Sequence, residues 1–189
     1  MKKILLFSLL ILMSFGAQAN WKLDADNSTV NFISIKKSTI GEVHHFKSLS
    51  GLLKDGVANV SIDLSSVETN ISIRNDRMKS MLFDVAKFSS ATISTKVDMI
   101  KIENMKDGGN YKEKLMIELK LHGVSKKIET TVKIIKLTDN RILVYSENPI
   151  IINAKDFDLN EGVEALRKIA KLPVVSSSVP VTFSLTFNQ

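Results

Sequence analysis

The sequence predicts an all-β fold: an antiparallel β-barrel or sandwich of about eight strands, with one or two short helices covering it. Three observations lead there. Apolar and polar residues alternate at period two in segment after segment. Turn-forming residues separate these segments at short intervals, as at Lys54-Asp55-Gly56, Lys106-Asp107-Gly108-Gly109-Asn110 and Thr138-Asp139-Asn140. Helical periodicity interrupts the pattern in only two places.

Residues 1–19 read as a secretory signal peptide. Lys2 and Lys3 supply the charged start, Ile4 to Gly16 the apolar stretch, and Ala17-Gln18-Ala19 a small-x-small cleavage site. The apolar run is too short to span a bilayer. Cleavage after Ala19 leaves residues 20–189 as a single periplasmic domain, with no cysteine to carry a lipid anchor.

Trp21-Lys22-Leu23-Asp24 opens that domain, and Asp24 to Ser28 reads as a polar turn. Val30 to Ile35 is a strand with apolar residues on both faces, which suits a sheet covered on both sides. Gly41–Phe46 and Leu49–Leu53 follow, and Asp55-Gly56 makes a hairpin turn into Val60, Ile62 and Leu64. From Ile62 to Phe88 the period changes. A polar segment, Glu68 to Arg77, precedes Met78, Met81, Leu82 and Val85, which share one helical face. A strand running into a Met- and Phe-rich excursion is expected where a sheet ends and its mouth is covered.

Ala91 to Ile102 reads as a strand with Ile93, Thr95, Val97 and Met99 on one face. Leu115, Ile117, Leu119 and Leu121 form a half-buried strand, and His122-Gly123 turns into Ile128–Leu137. Arg141 to Ile152 is a strand bent, or placed at an edge, by Pro149. Asn160 to Leu172 is the clearest helix. Asn160 is its expected N-cap, Val163, Leu166, Ile169 and Ala170 form its apolar stripe, and Pro173 stops it. In the last strand Val179, Val181, Phe183, Leu185 and Phe187 alternate without a slip, and Pro180 implies a start near a rim.

Composition narrows the function. Without Lys2 and Lys3 the formal charge falls from +6 to +4, and few aromatics interleave with the scattered lysines, so nucleic-acid binding has little support. The absence of cysteine removes thiol catalysis and Cys-ligated metals. His44 and His45 point to opposite faces of a strand and make no chelate without a third ligand. Nucleophile elbow, P-loop, dinucleotide and zinc motifs are all missing, so no catalytic or metal residue is nominated.

Several blocks in order resemble the YceI-like family: Trp21-Lys22-Leu23-Asp24 with Ser28, Val30 and Phe32; Ile62-Asp63-Leu64-x-Ser66-Val67-x-Thr69; Arg74 in Arg-Asn-Asp-Arg-Met; and Leu121-His122-Gly123-Val124-Ser125-Lys126. The resemblance implies an exported, eight-stranded, lipocalin-like antiparallel barrel. Its apolar tunnel would hold a long polyisoprenoid or isoprenoid-quinone chain, and no cofactor or enzymatic activity comes with it. Asn75 stands where the family usually has Asp, and Ser89 replaces its proline.

Three functions follow as expectations. The first is a carrier of an isoprenoid lipid, lined by Phe32, Ile62, Leu64, Ile117, Leu119, Leu121, Val181, Phe183 and Leu185, with Met78, Met81 and Phe83 at the mouth. The second is a stress-related interaction scaffold with a filled core. The third is a lipid-modifying enzyme using His44, His45 or Glu68. Stable membrane insertion is not expected, and the edge bent by Pro149 could pair with a second copy to form a homodimer.

Overall fold

The computed structural model describes residues 20–189; the expected signal peptide lies outside the described residues. Its strands are β1 (Trp21–Lys36), β2 (Ile40–Phe46), β3 (Leu49–Lys54), β4 (Val57–Asp63), β5 (Val67–Glu68), β6 (Ser90–Lys96), β7 (Asn110–Leu121), β8 (Val124–Leu137), β9 (Arg141–Ser146), β10 (Ile150–Asn153) and β11 (Ser178–Asn188). Three short helices join them: α1 (Ser72–Arg77), α2 (Met99–Glu103) and α3 (Asn160–Ile169).

Pairing runs antiparallel through β1, β3, β4, β6, β7, β8, β9 and β11, and β11 pairs back onto β1, so eight strands close a barrel. Closure removes the sheet edges that would otherwise need protection. β2 and β3 lie end to end along β1, and β9 and β10 lie end to end along β11, broken at Pro149 as its missing N–H requires. Pro180 pairs with Ile151 just beyond the last β1–β11 pair, Phe32 with Val181.

The hairpin turns follow from local chemistry. Asp55 (φ 53°) and Gly56 (φ 73°), then His122 (φ 51°) and Gly123 (φ 81°), occupy the left-handed region that a two-residue turn demands. At Gly123 an added Cβ would also sit 2.8 Å from Phe88 Cε1.

Four local expectations are corrected. The polar stretch Asp24–Ser28 does not end a strand but forms an irregularity inside β1, where the β11 register shifts between Asp24 and Thr29. Its side chains replace the lost ladder bonds: Ser28 Oγ donates to Asp24 O (2.6 Å) and accepts from Thr186 N (3.0 Å). The helix expected through Met78–Val85 starts earlier, as α1, and continues as a π turn at Met78–Leu82, with Phe83 N donating to Met78 O (2.9 Å). That wider turn breaks the i, i+3, i+4 face, burying Met78 and turning Met81 outward. The strand expected over Ala91–Ile102 stops at Lys96, because Asp98 accepts from Lys101 N (3.1 Å) and caps α2. Asn160 is the first residue of α3 and makes no cap bond, and the apolar stripe is narrower than expected: Val163 is buried while Ile169 and Ala170 are exposed.

The barrel has two different ends. At one, Trp21 is fully buried with Lys136 Nζ 4.5 Å from its ring centroid, and α2 tucks Ile102 inside. At the other, α1, the π turn and α3 form a lid. α3 reaches the π turn so closely that a Cβ on Gly162 would lie 2.6 Å from Met81 O.

Near the lid, Phe32 and His44 are cross-strand partners with ring centroids 5.2 Å apart, and His44 Nε2 shares a 2.8 Å hydrogen bond with Ser34 Oγ. Burial, reinforced by the nearby Arg74 charge, pushes the His44 imidazole down to about 4.

Two predictions follow from this framework. In Gly162→Ala, alanine's helix propensity favours folding by about 1 kcal/mol. The clash is with backbone, which cannot swing aside, and overpacking of that kind costs about 1–3 kcal/mol. Urea denaturation should show a net loss, and a net gain would mean that α3 does not rest on the π turn. For His44, the folded-state value lies below the ordinary 6.5, so unfolding takes up a proton between the two values and stability falls with pH. The full window is worth about 3 kcal/mol. Between pH 6.5 and 4.5, above the range in which Glu68 titrates, His44→Gln should show a flatter stability profile than wild type; parallel profiles would contradict a buried neutral imidazole.

Candidate functional site

Alternation along every barrel strand turns one set of side chains inward. Val30 and Phe32 on β1, Val60 and Ile62 on β4, Leu115, Ile117, Leu119 and Leu121 on β7, Val132 and Ile134 on β8, and Val179 to Phe187 on β11 surround an apolar cavity of about 220 Å³. It extends from Leu53, Ile102 and Ile142 at the Trp21 end to Leu159 and Val163 beneath the lid. Among the described residues Thr95 is the only polar one bordering it, and no titratable side chain does. The walls can exclude water from a hydrocarbon chain but offer nothing to transfer a proton.

Of the residues nominated from sequence, Phe32, Ile62, Leu64, Phe83, Ile117, Leu119, Leu121, Val181, Phe183 and Leu185 border this cavity. Met78 and Met81 do not. The π turn sends Met78 into the core beside the lid and leaves Met81 at the surface. Of the three residues expected at the mouth, Phe83 alone borders the cavity, with its ring 5.9 Å from Phe46, which lies 5.4 Å from Phe32. Phe46, Ala91, Leu82 and Val163 also border the cavity and were not nominated. The same alternation that marks Phe32 would have found Phe46, whereas Leu82 and Val163 come from helical cover whose docking no period reveals.

Above the cavity the inward face changes polarity without changing phase. On β1 it runs Val30, Phe32, Ser34, Lys36; on β2 it runs Phe46, His44, Glu42. Lys36 Nζ lies 2.9 Å and Arg74 Nη1 2.8 Å from Glu42 Oε2, and these cations hold the Glu42 carboxyl below its ordinary range. Arg74 Nη2 also donates to Thr69 O (2.6 Å). Two atoms of this collar, His44 Nδ1 and Arg74 Nε, are buried without a protein partner.

A second network supports the collar. Asn75 Oδ1 accepts from Thr69 N (2.9 Å) and Thr69 Oγ1 (2.6 Å), while Asn75 Nδ2 donates to Glu68 Oε1 (2.9 Å). An aspartate here could accept but not donate, and would face the Glu68 carboxylate. Lys47 and Asn75 together hold Glu68 down to about 2. The three histidines serve separate places: His45 opposes Glu68 across β2–β5, and His122 stacks on Phe88 with centroids 4.3 Å apart. Among the described residues no three metal-binding side chains converge, and no helix is long and apolar enough to cross a membrane.

Comparison with known proteins agrees with this architecture. A polyisoprenoid-binding domain from Saccharophagus degradans implicated in plant cell wall breakdown is 39 % identical, with a TM-score of 0.88 over 90 % of this chain and 98 % of that one. BcnA of Burkholderia cenocepacia is 20 % identical, with a TM-score of 0.68 over 87 % of this chain and 98 % of that one. A Campylobacter jejuni YCEI protein is 18 % identical, with a TM-score of 0.57 over 77 % and 84 %. At those lower identities the likeness concerns the fold alone. No curated protein sequence matches the chain. The model of the YceI-like domain matches residues 21–187, nearly all of the described barrel, and the chain belongs to that family.

Proposed function

We propose that the protein is an exported, non-catalytic periplasmic carrier that holds the chain of an isoprenoid lipid inside the barrel, with the lipid's polar end at the collar. The observation that carries this reading is the cavity wall, which among the described residues is apolar apart from Thr95 and free of titratable groups. The 39 % identical relative described as polyisoprenoid-binding supports the same ligand class. An enzyme acting on a lipid in the tunnel would need an acid, base or nucleophile facing it; His44, His45 and Glu68 all lie outside the lining.

The volume sets a scale. A cavity of about 150 Å³ accepts benzene, so 220 Å³ accepts roughly nine carbons, or about two isoprene units. At about 0.8 kcal/mol per enclosed CH₂ this is worth about 7 kcal/mol before ordering costs. Such a gain alone supports binding near the micromolar range at best. Tight retention therefore requires a longer chain and displacement of the side chains that cap the cavity, Leu82, Phe83 and Val163.

Two linked measurements test the proposal. Mass spectrometry of lipid extracted from protein purified from its own host should find a prenyl lipid near one per molecule. Ala91 borders the cavity from β6, where phenylalanine suits a strand and its ring fits the available space. Ala91→Phe should lose most of the lipid without losing thermal stability. Absence of prenyl lipid in wild type, together with destabilisation of Ala91→Phe by about 1–3 kcal/mol as in an overpacked core, would favour a filled scaffold instead.

A further inference from the structure

The lid end has a surface that the interior does not explain. Among the described residues, eight of the eleven exposed large hydrophobic side chains belong to segments at this end, including Ile40, Ile71, Ile73, Ile169 and Val174. Such clustering marks an interaction surface, whereas scattered single residues would not. The segments that carry these residues are tied together around the β1–β2 turn. Arg74 of α1 pairs with Glu42 on one side, and on the other Lys37 N donates to Val174 O (3.0 Å) just after α3.

Basic residues predominate among the charges interleaved with these residues, beside the exposed acids Asp84, Asp156, Asp158 and Glu161. Glu42 is neutralised by Lys36 and Arg74, and Asp76 lies 3.8 Å from Lys79 Nζ. Lys37, Arg77, Lys168 and Lys171 have no ion-pair partner among the described residues, and all but Arg77 are exposed. Of the acidic residues of α3, Glu164 is bound to Arg167, and Glu161 stands at the π-turn end of the helix, about 15 Å from Lys171. Isoleucines flanked by unpaired cations match a membrane interface, where the apolar groups enter the headgroup boundary and the cations meet phosphates.

We propose that the lid end docks reversibly on an anionic phospholipid bilayer, placing α1, the π turn and α3 against the membrane from which an apolar ligand would enter. Docking of this kind leaves the barrel outside the hydrocarbon and differs from insertion. The purpose assigned to it rests on the carrier reading, but the contact itself is measured independently of any cargo.

Cosedimentation with vesicles tests it. The protein should bind phosphatidylethanolamine–phosphatidylglycerol vesicles, bind phosphatidylcholine vesicles much more weakly, and release as salt rises. Lys168→Glu/Lys171→Glu and, separately, Ile71→Ser/Ile73→Ser should weaken binding on the order of ten-fold or more, since each interfacial cation contributes substantially. Ile100→Ser, at the opposite end and 71 % exposed in wild type, should leave binding unchanged. Equal binding to both vesicle types, no binding to anionic vesicles, or an equal loss in Ile100→Ser would overturn the docking. Lipid extracted from the same preparations separates the two ideas. Prenyl lipid without vesicle binding refutes the docking and spares the carrier, whereas vesicle binding without prenyl lipid supports the docking and refutes the carrier.

Discussion

The pairing of the first strand with the last is the contact on which the rest depends. Lys22 meets Asn188 and Phe32 meets Val181, so residues separated by most of the chain complete the ring. Without that seam β1 and β11 would each expose an edge, and the cavity would lack a continuous wall. Forming it requires closing a loop of some 160 residues, a cost that grows only slowly with length but falls entirely on this contact. The irregularity in β1 interrupts the ladder in the middle of the seam, and Ser28 and Thr186 bridge it: Thr186 Oγ1 donates to Asn27 O (3.0 Å) while Ser28 Oγ accepts from Thr186 N.

Once closed, the barrel separates two environments along a single face. From Val30 to Lys36 the inward residues pass from hydrocarbon to charge within one strand, and β2 repeats the change from Phe46 to Glu42. His44 sits at the boundary, uncharged because its surroundings penalise the imidazolium. The collar buries His44 Nδ1 and Arg74 Nε without a protein partner, while the wall below them is apolar apart from Thr95. The arrangement follows the polarity order of an amphipathic lipid.

The barrel was legible because its signal is local. Leu115 to Leu121 and Val179 to Phe187 alternate regularly, and the turns at Asp55-Gly56 and His122-Gly123 name their own conformations. Most of the wall came from the same pattern. What stayed hidden depends on tertiary partners or on small changes of period. Asp24–Ser28 carries turn chemistry, yet Thr186 holds it within a strand. One wide turn at Met78–Leu82 splits the face expected to carry both Met81 and Leu82, keeping Leu82 on the cavity and turning Met81 outward. The collar stays hidden for a different reason: Ser34, Lys36 and Glu42 form no local motif, and only the β1–β2 register and α1 bring them to Arg74.

The central claim is that a hydrocarbon chain enters the barrel and extends toward its far end. Trp21 is the only tryptophan of the sequence and lies fully buried at that end, against the lid's opposite pole. Energy transfer from Trp21 to a polyene-tagged prenyl alcohol reads this directly. The transfer should saturate at one probe per barrel, increase as the tag is moved toward the chain terminus, and disappear on competition with untagged prenyl alcohol. Transfer that does not saturate, or that is insensitive to the tag's position, would place the lipid outside the barrel.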